Sequence, residues 1–176
     1  FSAFTTLNQQ EHKTLRDTTA LLGEIGVDAG TTAKILDTAT KSLGMNVTQA
    51  NHLMLEIAGT AKQLGRPASL VAQDFATASK KLAFYGDRIG TVFTQLEKQA
   101  KSSGLGIDEL LGVTAQFDTS EGAAKSVGRL NAILGGPYLN SIDMVNMNEA
   151  ERVEALKRTM EATGMQMDQL GKYEQM

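Results

Sequence analysis

Two histidines, His12 and His52, are the residues best suited to acid–base or metal chemistry in a chain that contains no cysteine. A metal pair on a helix needs its second ligand about one turn away. From His52 those positions hold Leu55 and Glu56, and from His12 they hold Leu15 and Arg16. Glu56 can form a solvated pair with His52, but neither histidine belongs to a zinc set. Nucleophilic catalysis by Ser, Thr or Lys needs an oriented base, and two histidines in polar runs give it poor support. Carboxylates are paired at Asp108-Glu109 and Glu149/Glu151. Both pairs fall in the first turn of a predicted helix, where acids stabilise the free N–H groups. Gly135-Gly136 follows a helix, lacks a Lys-Ser/Thr partner and precedes Pro137, so it is not a phosphate loop. The sequence predicts no catalytic residue, no cofactor-binding residue and no metal ligand, and no enzyme activity.

What must position these residues is a series of short helices. Gly44-Met45-Asn46-Val47-Thr48, Gly104-Leu105-Gly106-Ile107-Asp108 and Gly164-Met165-Gln166-Met167-Asp168 recur at sixty-residue intervals. Leu36, Leu96 and Leu156 align in this repeat, as do Val47, Ile107 and Met167. Glycine ends a helix in the left-handed conformation without a Cβ clash, and an apolar residue after it completes the cap. Gly44, Gly65, Gly104, Gly136 and Gly164 are therefore expected helix caps, with further helix ends at Gly26 and Gly86. Between them the apolar residues keep a 3.6-residue period, as in Val47, Ala50, Leu53, Met54, Ile57, Ala61 and Leu64. No alternating strand pattern is evident.

The expected fold is all-α: amphipathic helices joined by short glycine-capped turns in an array or bundle. Residues 1–136 are expected to hold six or seven helices, 137–147 a Gly-Pro loop with a helical turn, and 148–176 a terminal helix pair. The chain starts at Phe1 and stops at Met176 within a helical pattern, which reads as a segment of a longer polypeptide.

Composition narrows the function classes. The 176 residues carry a formal charge of −3, with both signs interspersed, which is no footprint for nucleic acid. The corner from Ala39 to Leu55 has the spacing of a helix-turn-helix, yet its second helix, Thr48 to Ile57, has no Lys or Arg to meet phosphate. Sequence-specific nucleic-acid binding is not expected. No apolar run approaches a membrane span. Aromatics are 5% and Trp is absent, so helix contacts fall to Ala, Leu and Met. Met144, Met147, Met160, Met165, Met167 and Met176 gather after Asp143. Methionine is flexible enough to serve adaptable surfaces, and Met160, Met165 and Met167 form the candidate partner surface.

Phe117-Asp118-Thr119-Ser120-Glu121-Gly122-Ala123-Ala124, then Leu130-Asn131-Ala132-Ile133-Leu134-Gly135-Gly136, then Glu151-Arg152, Leu156 and Gly164, resemble a stretch of phage tail tape measure proteins. The likeness covers roughly residues 26–176. It implies a structural role: a ruler that sets tail length while tube rings polymerise around it, lying in the tail lumen or tip and taking part in DNA ejection. It also implies a homo-oligomer of three or six copies, tail tube and tip or baseplate hub proteins as partners, and membrane contact only during ejection. The glycines interrupt any continuous coiled coil, so this stretch would be a folded, distal part of the ruler. No catalytic residue carries over from the resemblance. The alternative is a cellular helical protein–protein interaction module without catalysis.

Overall fold

The computed structural model describes residues 8–167 and is all-α, with nine α-helices and no strand among those residues. They are α1 (Gln9–Glu24), α2 (Ala29–Asp37), α3 (Val47–Leu64), α4 (Ala68–Leu82), α5 (Ile89–Ser103), α6 (Ile107–Ala115), α7 (Ser120–Leu134), α8 (Ser141–Asn146) and α9 (Glu149–Ala162). A π-turn, Thr38–Ser42, extends α2, and a 3₁₀ segment, Ala83–Arg88, links α4 to α5. The Gly-Pro region contains α8, a short helix started by Asn140, whose side chain accepts from the N–H groups of Ile142 and Asp143. The expected helix from Met167 onward lies outside the described residues.

The helices start where their side chains can satisfy free N–H groups. Asn8 with Glu11, Asn46 with Gln49 and Asn148 with Glu151 form reciprocal capping boxes. Asp28 and Thr119 cap α2 and α7 through the N–H groups of Thr31 and Gly122. Six of the ends follow the glycine pattern, whereas α4, α6 and α8 end at Ala83, Gln116 and Met147, and Gly86 lies within the 3₁₀ segment after α4. Gly26, Gly44, Gly65, Gly104, Gly135 and Gly164 all have φ between 61° and 89°. At Gly164 the cap is a double one: Gly164 N–H donates to the Glu161 carbonyl and Met165 N–H to the Met160 carbonyl.

One helix end and one buried position correct the sequence reading. The cap of α7 is Gly135, with φ 77°, and not Gly136. Gly136 is the next residue, and its N–H returns to the Asn131 carbonyl, which closes the cap. With two adjacent glycines, the one that directly follows Leu134 takes the left-handed turn. In the first repeat the buried residue is Ile35 (1% exposed), whereas Leu36 is only half-buried, although Leu96 and Leu156 are buried as expected.

The chain divides into two compact units, one up to Thr94 and one from Gln95, so the division falls within α5 and not at the Gly-Pro loop. In the first unit α3 packs on α1 and α4, and α2 packs on α4. Its core is built on Ile35, Met54, Val71, Phe75, Leu82, Ile89 and Phe93. Phe75 meets Phe93 edge-to-face, with centroids 5.1 Å apart. In the second unit α6 packs on α9 and α7 on α8, around Leu96, Leu110, Phe117, Met144, Val153 and Leu156.

Candidate functional site

The paired carboxylates serve helix starts, and the histidines lie apart on two helices. His12 is half-buried on α1 and His52 is exposed on α3. Glu56, one turn from His52, sends its carboxylate to Gly90 in the first turn of α5. A Cβ built on Gly90 would lie 2.2 Å from a Glu56 carboxylate oxygen. Glu109 accepts from the Gly106 N–H at 2.7 Å, and Glu151 from the Asn148 N–H at 2.8 Å, so these acids start α6 and α9. No group of three or more His, Cys, Asp or Glu among the described residues could hold a metal ion.

The methionine surface is corrected. Met160 is 2% exposed and Met167 7% exposed, so both lie in the core of the second unit, and only Met165 is half-buried. The spacing explains it. Met160 falls four residues after Leu156 and seven after Val153, on the same buried stripe of α9. Met167 takes the apolar position after the Gly164 cap that Ile107 takes after Gly104. Met165 borders a shallow cavity of about 350 Å³, lined with it by Ser102, Ser103, Lys157, Glu161, Gln166 and Met167. Lys157 holds one wall through its ammonium, which donates to Ser102 Oγ at 3.0 Å and lies 3.8 Å from a Glu161 carboxylate oxygen.

One buried, multiply bonded polar group is one that sequence patterning did not single out for a role. The Arg152 side chain, 7% exposed, donates through Nε to the Met144 carbonyl at 2.8 Å and through one terminal nitrogen to the Val145 carbonyl at 3.2 Å. The other terminal nitrogen reaches the Thr114 carbonyl at 3.1 Å and the Asp118 carboxylate at 2.5 Å. Those carbonyls belong to the last turns of α6 and α8. One guanidinium therefore caps two helix C-termini, where cations are favoured and four carbonyls would otherwise be unbonded. Five donors in a rigid fork suit Arg to this post.

Compared with protein families, with characterised proteins and with solved structures, the chain has no match.

The large exposed apolar residues are scattered. Phe84 is 72% exposed, stacked beside Tyr85 with ring centroids 4.0 Å apart, and the Arg88 guanidinium sits 6.0 Å from the Tyr85 ring. In the second unit Ile142 is 69% and Tyr138 51% exposed. No described helix is long and apolar enough to cross a membrane.

Proposed function

We propose that the chain is a structural segment of a phage tail tape measure protein, acting in the tail lumen or tip during tail-length determination and DNA ejection, without catalysis of its own. The observation that supports this reading is where the resembling residues fall. Phe117 is buried, Asp118 receives Arg152, Thr119 caps α7, Leu130 and Leu156 are buried, and Gly164 ends α9. These residues bear on how α6, α7 and α9 are held, although most of the resembling stretch is exposed or half-buried.

On this reading the partners are tail tube subunits and tip or hub proteins, and copies of the chain assemble about the tail axis. The buried Met160 and Met167 do not supply the contact between copies. Phe84, Tyr138 and Ile142 are the most exposed of the large apolar residues that could.

The test locates the chain in particles of the phage that encodes it. Peptides from residues 9–167 should be recovered from purified intact virions and be lost from, or become protease-sensitive in, particles that have released their DNA. Light scattering of the isolated chain should show self-association at high concentration. Absence from virions, together with a monomer at all concentrations, would end the proposal and favour a cellular interaction module.

A further inference from the structure

The second and third glycine corners match position for position at a spacing of sixty. Val92, Phe93, Leu96, Ala100 and Ile107 are buried, and so are Arg152, Val153, Leu156, Met160 and Met167. The first corner matches the second at the same spacing, but only after its glycine. Val47, Ala50, Leu53, Met54 and Ile57 correspond to Ile107, Leu110, Val113, Thr114 and Phe117, and all ten are buried. Before the glycine the match slips by one. The buried residues of the first corner are Thr31, Thr32, Ile35 and Ala39, each one place earlier than sixty would put it.

The hydrogen bonds place the slip. In the third corner the closing bond of the cap runs from Met165 N–H to the Met160 carbonyl. In the first corner it runs from Met45 N–H to the Ala39 carbonyl, enclosing one residue more. That residue sits in the π-turn Thr38–Ser42, where Leu43 N–H donates to the Thr38 carbonyl, five residues back. Within the turn the Thr40 hydroxyl donates to the Leu36 carbonyl at 2.8 Å. An extra residue in a helix normally rotates everything on one side by about 100°. A π-turn absorbs it and keeps both faces on the core.

We infer that the first two corners are copies of one two-helix unit, that α9 and its glycine cap repeat the first half of that unit, and that the π-turn holds a single residue inserted into the first copy. The inference is independent of what the chain does in a cell.

The test compares deletions at matched exposed positions of the full chain by thermal unfolding followed by circular dichroism. Deleting Lys41 should turn Thr38–Ser42 into regular helix and leave Tm within about 4 °C of the parent, or above it. Deleting Lys101, its counterpart in the regular helix α5, should lower Tm by about 10 °C or more, because Leu96 and Ala100 leave the core face of the second unit. Inserting one Ala after Lys101 recreates the π-turn in the second copy and should cost less than that deletion. The inference fails if deleting Lys41 costs as much as deleting Lys101. It also fails if both deletions are tolerated equally, since the register would then constrain neither corner.

Discussion

Arg152 and Asp118 meet at 2.5 Å although 34 residues separate them, and the two ends of the pair differ: the Arg152 side chain is 7% exposed and that of Asp118 58%. The carboxylate is the solvent-facing member of the group, and the three carbonyls are its interior.

That asymmetry ranks two substitutions. Arg152→Ala strands the carbonyls of Thr114, Met144 and Val145 and should cost about 3 kcal/mol or more. Asp118→Ala removes a half-exposed partner and should cost under about 1 kcal/mol. Urea unfolding of both variants gives the order; equal costs would mean that the ion pair, and not helix capping, is what Arg152 contributes.

Gly135 and Gly136 are adjacent, yet only the first has a positive φ. Gly135→Ala should cost about 1–2 kcal/mol, because an L-residue is strained there. Gly136→Ala should cost less, since its new methyl meets only the ring of half-exposed Tyr138. The reverse order in thermal melts would move the cap back to Gly136.

Gly90 is crowded by a neighbouring side chain and not constrained by its backbone. Gly90→Ala pushes a methyl into the Glu56 carboxylate, 2.2 Å from the built Cβ. The methyl should destabilise the parent by about 1 kcal/mol and a Glu56→Ala background by much less. A double-mutant cycle in denaturant measures the coupling, and a value near zero would show that Glu56 simply swings away.

Asp28 accepts from the hydroxyl and the N–H of Thr31, and these bonds lower its pKa, the hydroxyl contributing most. A carboxyl with a lowered folded-state pKa stabilises the protein above its unfolded pKa of about 3.9, and that contribution fades as pH falls through the lower folded value. Asp28→Ala should therefore lower Tm at pH 7, and by progressively less as pH falls below about 3.9. A constant difference between parent and variant across that range would show that ionisation of Asp28 is not what stabilises α2.

Helix ends and the helical class were readable from the sequence because glycine, asparagine and the 3.6-residue period act over a few neighbours. Gly44, Gly65, Gly104 and Gly164 are of this kind, and so are Asn46 and Asn148. The burial of Ile35 in place of Leu36 was not readable, since both are apolar and no local signal marks a π-turn. The methionines were misjudged because composition records how many there are and not which stripe of α9 they occupy. Arg152 sits among Glu149, Glu151 and Glu154 like any solvated helix charge. Its acceptors on α6 and α8 are brought to it only by the packing of those helices.

The passage from α7 to α8 is fastened by one side chain. The Asn131 amide donates to the Leu139 carbonyl at 2.8 Å and accepts from the Leu139 N–H at 2.9 Å, as a neighbouring strand would. The clasp fixes both ends of the stretch between them, so Gly136 and Pro137 do not have to set the path of the chain. Extra residues placed between those two would lengthen a closed loop, at an entropic cost that grows only with the logarithm of its size. The Gly-Pro bend is therefore a natural port for grafting a tag or reporter while leaving both flanking helices where they are.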